Sequence, residues 1–201
     1  MNVTLEKTFP MPGSAQTAWT LLQDIEGVAS CMPGARITER TDAQHYKGTV
    51  AVKFGPASMS FRGEVEVKAI DATSRTLRLI GKGTDSTGSS GASMDLTARI
   101  EAVSDTACNL VGNSEVSMSG KAAAFGGRMM NSVADQVLKQ FADNFAAKVQ
   151  ALQANGPGGP SASAGGGAPA AAPEPTQLNA LALAWAVIKD WFKSLFSAKR
   201  A

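Results

Sequence analysis

AAFGGRMMNSVADQVLKQFADNFAAKVQAL, residues 123–152, sets the architecture of this chain. Met130, Val133, Val137, Phe141, Phe145 and Val149 recur every three or four residues, which places them on one stripe of a long helix. One continuous stripe needs one broad apolar surface to lie on. The residues ahead of it supply that surface.

Strand signals stand at Ala35–Arg40, His45–Phe54, Ala57–Ile70, Arg75–Thr84, Ala92–Val103 and Ala107–Met118, divided by Gly, Asp, Ser and Pro. Before them, Val3–Phe9 alternates like a strand and ends at Pro10-Met11-Pro12. Ser14 then caps a helix over Ala15–Gln23, with Trp19 and Leu22 on its apolar side. A second short helix, about Asp24 to Ser30, closes at Cys31-Met32-Pro33-Gly34. Strand, two helices, six strands and a long helix predict an α+β helix-grip arrangement. In it, a curved antiparallel sheet of about seven strands wraps the C-terminal helix, because no other element is left to cover its apolar face.

Alternation tells which side chains meet the helix. Lys47, Lys53, Arg62, Glu64, Arg78 and Asp95 point outward. Phe54, Met59, Phe61, Met94, Leu96, Val116 and Met118 point inward. Hairpin parity gathers the turns at Gly55-Pro56, Asp85–Gly91 and Ser119–Gly127 at one end of the sheet, where Gly81, Gly83, Gly88 and Gly91 leave a thin, mobile edge. A mouth is expected there, beside Phe125, Met129, Met130 and Val133 at the start of the long helix. These eleven inward and helix-start residues are the candidate ligand-binding set. Thioethers adapt to irregular apolar ligands; the competing reading is that they fill a collapsed core.

Residues 1–152 thus form one domain. Residues 153–177, rich in Gly, Pro and Ala, form a flexible linker, and residues 178–201 a separate segment. In that segment Leu181, Trp185, Ile188, Trp191, Phe192, Leu195 and Phe196 share one arc of a helical wheel, with Lys189 and Lys193 on the polar side. Its apolar run is too short to span a bilayer, so it reads as an amphipathic membrane-surface helix. Packing back on the domain and docking in a partner's groove are its alternatives.

The chain has 201 residues, 19 basic and 17 acidic. Four of the basic and one of the acidic residues fall in 177–201, which leaves the body with 15 and 16. The body therefore shows no excess of positive charge, and nucleic-acid binding is not expected. Met1–Met11 lacks the apolar run of a signal peptide, so the expected location is cytoplasmic, peripheral on the inner face of the membrane. Cys31 and Cys108 read as reduced, buried small hydrophobes.

The inventory for catalysis is thin. No metal-ligand spacing, nucleophile elbow or phosphate loop occurs. His45 sits next to inward Tyr46 on one strand, so it faces solvent. No catalytic residue and no metal are assigned.

Several short stretches carry a resemblance. Leu5-Glu6-Lys7-Thr8-Phe9, Cys31-Met32-Pro33-Gly34-Ala35, Tyr46-Lys47-Gly48, Val52-Lys53-Phe54-Gly55-Pro56, Phe61-Arg62-Gly63, Gly120-Lys121-Ala122-Ala123-Ala124-Phe125-Gly126 and Gln140-Phe141 resemble the carbon monoxide dehydrogenase CoxG family of the START-like, helix-grip (SRPBCC) superfamily. Members often carry Leu where Met32 stands and bulkier residues where Ala122–Ala124 stand, a difference that would widen the mouth. The resemblance implies a non-enzymatic protein that accompanies a molybdenum hydroxylase such as carbon monoxide dehydrogenase and links it to the membrane and the respiratory quinone pool. It supplies no catalytic residue. The expected function is a membrane-tethered carrier or adaptor in electron transport, with no covalent cofactor and an isoprenoid quinone as the candidate ligand. Its expected partners are the dehydrogenase complex and membrane lipid. The alternatives are a ligand-free recruitment adaptor or maturation factor, and a cyclase or hydrolase on the same fold.

Overall fold

In the computed structural model the described residues are 1–155, apart from Pro56 and the side chain of Phe54. The linker from 156 onward and the segment 178–201 lie outside them. In chain order the elements are β1 (Asn2–Pro12), α1 (Ala15–Gln23), α2 (Ile25–Ala29), β2 (Ala35–Arg40), β3 (His45–Phe54), β4 (Ala57–Asp71), β5 (Thr76–Asp85), β6 (Ser90–Ser104) and β7 (Ala107–Gly120). A 3₁₀ turn (Lys121–Phe125) and α3 (Gly126–Ala154) follow. The strands form one curved sheet in the order β1-β7-β6-β5-β4-β3-β2, antiparallel throughout, with the long helix C-terminal to it.

Local chemistry accounts for the punctuation. Ser14 Oγ accepts from the Thr17 N–H at 3.1 Å to start α1, and Asp24 Oδ1 accepts from the Gly27 N–H at 3.0 Å to start α2. Pro10 and Pro12 are tolerated because β1 is an edge strand. Two glycines let the sheet curl and the chain leave it. A Cβ on Gly63 would strike the Lys82 carbonyl, and Gly120, at φ 66°, turns β7 into the 3₁₀ segment against the Ser89 carbonyl.

The core is densest where α1, the β6–β7 pair and the C-terminal half of α3 meet. Phe145 and Val149 are fully buried there among Trp19, Leu22, Leu77 and Leu110. A side chain such as Phe145 contributes roughly 1.5–3 kcal/mol by leaving water. Asn144 Nδ2 donates to the Cys31 carbonyl at 2.9 Å, and Lys148 Nζ donates to the Gly27 carbonyl at 3.1 Å and to Ser30 Oγ. Those bonds pin this half of α3 to α2.

Candidate functional site

The hairpin ends fall as parity requires. Phe54 pairs with Ala57, Phe61 with Asp85 and Ser90 with Gly120, so all three exits stand at one end of the sheet, beside the first turn of α3. A second, smaller apolar cluster occupies that end: Phe61, Met118, Ala122 and Met130 are buried. Met59, Val116, Phe125 and Val133 pack around them half-buried. Met94 and Leu96 lie further along and pack against the larger core instead. Of Phe54 only the strand position is described.

Met129 departs from the expected set. It is 39% exposed, whereas its neighbour Met130 is 9% exposed. Successive residues on a helix point about 100° apart, so one of the pair faces the sheet and the other turns away. Two further expectations change. The long helix begins at Gly126 rather than Ala123, because the three alanines enter a 3₁₀ turn. Gly81, Gly83 and Gly91 lie within paired strands rather than in a loose edge.

The inner face is unevenly filled. Tyr46, Val67, Leu77, Leu79 and Ala98 are buried, while Val50, Val52, Val65, Met94, Leu96 and Val116, on the same face, keep partial exposure. Gly81 and Gly112 also face in. A Cβ on Gly81 would meet only Met94 Cε at 3.7 Å at its nearest, and one on Gly112 only Leu96 Cδ1 at 4.0 Å, so both leave room for an added atom. Two depressions lie near this end of the sheet. One of about 300 Å³ lies at the rim between Ser58, Met59, Asp85, Ser86, Lys121 and Phe125. Another, of about 530 Å³, lies on the outer face and includes Arg62, Glu64, Lys82 and Thr84 in its lining. Neither is lined by α3.

What ties the β5–β6 turn to the 3₁₀ segment was hidden in the sequence. Asp85 is 7% exposed and accepts from the Ser90 N–H at 2.7 Å, the Thr87 N–H at 3.3 Å, Thr87 Oγ1 at 2.5 Å and Ser89 Oγ at 3.2 Å. These bonds, the Thr87 hydroxyl first among them, hold its carboxyl below the usual carboxylate range. Buried Ser90 in turn accepts from the Ala122 N–H at 3.0 Å, and the Lys121 N–H reaches the Ser89 carbonyl at 3.2 Å. The β5–β6 turn thereby carries the 3₁₀ segment. An Asp followed by Ser, Thr and Gly signals such a turn; the bridge to Ala122 has no local signal.

His45 and Tyr46 lie on opposite faces of β3. His45 Nδ1 lies 2.9 Å from both carboxylate oxygens of Asp42, out in solvent. The Gln44 N–H, then the His45 ring, keep the Asp42 carboxyl below its ordinary range. Tyr46 points the other way, buried, with its hydroxyl 3.5 Å from the Ala43 carbonyl and the Arg40 guanidinium 5.5 Å from its ring centre. Cys31 and Cys108 are free and buried, and burial pushes both thiols up. Among the described residues no group of three or more His, Cys, Asp or Glu could hold a metal ion, and no helix is long and apolar enough to cross a membrane.

The model of the carbon monoxide dehydrogenase CoxG family matches residues 8–150. The chain belongs to that family. Among curated proteins, none matches the sequence. Among solved structures, a conserved protein from Geobacillus kaustophilus superposes with a TM-score of 0.67 at 18% identity, over 75% of this chain and 96% of its own. An aromatase/cyclase from a Streptomyces species gives 0.57 at 15% identity, over 79% and 99%. A START superfamily protein from Mycobacterium smegmatis gives 0.53 at 16% identity, over 74% and 98%. The shared fold is START-like. It carries a cyclase in one neighbour, so membership of the fold alone does not decide whether a member catalyses a reaction.

Proposed function

We propose that this CoxG-family protein is a non-enzymatic carrier that takes up a hydrophobic ligand at the mouth end, an isoprenoid quinone above all, and links a molybdenum hydroxylase such as carbon monoxide dehydrogenase to the membrane. One observation carries the reading: around the buried Phe61, Met118 and Met130 at the mouth end, the apolar Val50, Val52, Met59, Val116, Phe125 and Val133 are only half-buried, whereas Phe145 and Val149 at the other end of α3 are sealed. An apolar molecule exposed to water is unfavourable in proportion to its area, and an incompletely filled apolar surface offers it cover. Met59, Met118 and Met130 are unbranched and can re-pack around an irregular chain. Phe61, Val116, Phe125 and Val133 complete the lining, and the hydroxyls of Ser58 and Ser86 give the rim polar partners for a ligand's head. The segment 178–201, through Trp185, Trp191, Phe192 and the lysines around them, would keep the domain near lipid, on the inner face of the membrane.

The test is extraction. Full-length protein purified from cells should carry quinone detectable by mass spectrometry, and Met118→Asp or Met130→Asp should remove it while the circular dichroism spectrum stays native. Wild-type protein that never acquires quinone from vesicles overturns the carrier reading.

A second reading has its own support, because both depressions lie at the rim or on the outer face rather than beneath α3. A ligand-free adaptor would use those surfaces to dock the dehydrogenase. Deleting residues 178–201 would then release the enzyme from membranes, and substitutions at Met118 that preserve stability would change nothing.

A further inference from the structure

Five basic side chains gather around the mouth. Lys53 is next to last in β3, Arg62 and Lys82 lie outward where β4 and β5 run alongside the end of the sheet, Lys121 is in the 3₁₀ turn and Arg128 in the first turn of α3. Among the described residues the lysines and arginines that form ion pairs within 4 Å stand elsewhere: Lys7 with Asp135, Lys47 with Glu39, Lys68 with Glu66, Arg78 with Asp95, Arg99 with Glu101 and Lys139 with Asp143. The mouth's acidic groups are Glu64, Glu115 and Asp85, and Asp85 is already engaged by its own turn. At the opposite end the three loops each carry an aspartate, Asp42, Asp71 and Asp105. Arg40, Arg75, Lys68 and Arg99 offset the carboxylates at that end, so the cations without a carboxylate within 4 Å that stand at the mouth give it the local excess of positive charge.

Apolar groups stand among the cations. Met129 is 39% exposed and Met1 37% exposed, and the Met1 ammonium donates to the Met118 carbonyl at 2.7 Å, which fixes the chain's start at this same end. Cations flanking exposed, flexible apolar side chains suit a boundary where anionic head groups and hydrocarbon lie within about 5–10 Å of each other. An acidic protein surface would match the charges but has no equal use for the methionines.

We propose that the mouth end of the folded domain is itself a docking face for an anionic lipid surface, with Lys53, Lys121 and Arg128 among the head groups and Met1 and Met129 at the acyl boundary. The proposal rests on the carrier reading, since a mouth must face the phase its cargo comes from. It differs from tail attachment in predicting an orientation: mouth toward lipid, aspartate-bearing loops away.

The experiment uses the full chain and vesicles of phosphatidylcholine with or without phosphatidylglycerol. The triple variant Lys53→Glu, Lys121→Glu, Arg128→Glu should lose about tenfold or more in affinity for the anionic vesicles, and most of its salt dependence. A control triple, Lys68→Glu, Arg75→Glu, Lys139→Glu, should stay within about twofold of wild type. Whatever residues 178–201 contribute is the same in every variant. A polarity-sensitive fluorophore on Met129→Cys should shift to shorter wavelength on binding, and one on Thr73→Cys should not, the native cysteines being buried. Unchanged affinity in the mouth triple overturns the proposal, as does a Met129 probe that stays in water while the chain binds vesicles. Normal vesicle binding with lost co-purification of the molybdenum hydroxylase assigns the face to a protein partner and equally overturns it. The quinone content of wild-type protein is measured separately, so failure of the carrier reading shows as empty protein rather than as misoriented protein.

Discussion

The two halves of α3 share one apolar stripe and one period, yet they live in different surroundings. Toward the C-terminus, Ala142, Phe145 and Val149 are sealed beneath α1, and Asn144 and Lys148 reach across to backbone carbonyls at the end of α2. Toward the N-terminus, Met130 is buried but Val133 and Val137 are only half-buried, and on the inner face of the sheet a Cβ added at Gly81 or Gly112 would meet nothing closer than 3.7 Å. A salt bridge between Lys7 and Asp135 at 2.8 Å spans that half, but both side chains are well exposed and such a pair is worth about 0–1 kcal/mol. Dryness is thus set by what stands across from a side chain rather than by its own hydrophobicity. One end holds the fold, and the other is the one at which we propose that a ligand enters.

Truncations probe the contrast hardest. Phe145→Ala should cost about 3–5 kcal/mol in urea unfolding. Val149→Ala should cost about 2 kcal/mol, and the same change at Val133 less than about 1 kcal/mol. Equal losses at the two valines would mean that both ends are packed alike. Ser90→Ala comes next: it strands the buried Ala122 N–H and should cost about 1–3 kcal/mol, with faster amide exchange in residues 121–130 than in 142–152.

Glycine replacements come third. Gly81→Ala should raise stability by about 0.4–1 kcal/mol, since its Cβ finds ordinary contact and the unfolded chain loses freedom. Gly63→Ala should lower stability, because the Lys82 backbone cannot move aside. The least change is expected in acid. Asp85 has a folded-state pKa below its unfolded value, so its contribution is present above the unfolded pKa and is lost as pH falls through the folded one. Wild type should therefore lose its advantage over Asp85→Asn below about pH 4, read from thermal unfolding between about pH 7 and pH 3.

Much of this was legible before any coordinates. Regular alternation in β3 to β7 fixed which residues face in, and the three- and four-residue recurrence in α3 identified the face that covers them. Ser14 and Asp24 marked helix starts by side-chain chemistry that needs no distant partner. Met129 misled, because adjacent apolar residues at a helix start give two candidates for one inward direction. Asp85 and Ser90 read as ordinary turn residues. Their role arises from a hydrogen bond to Ala122, 32 positions away from Ser90. No local pattern records a partner at that separation.

The order of polar and apolar residues was enough to set the strands, the helices, their facing sides and the end at which the turns converge, since backbone periodicity and turn chemistry are local properties. Folding in three dimensions had to settle the rest: which inward positions are sealed and which stay open, which aspartate is buried, and which lysines and arginines find a carboxylate. Those are matters of what folds against what, and they depend on groups brought together from far apart in the chain.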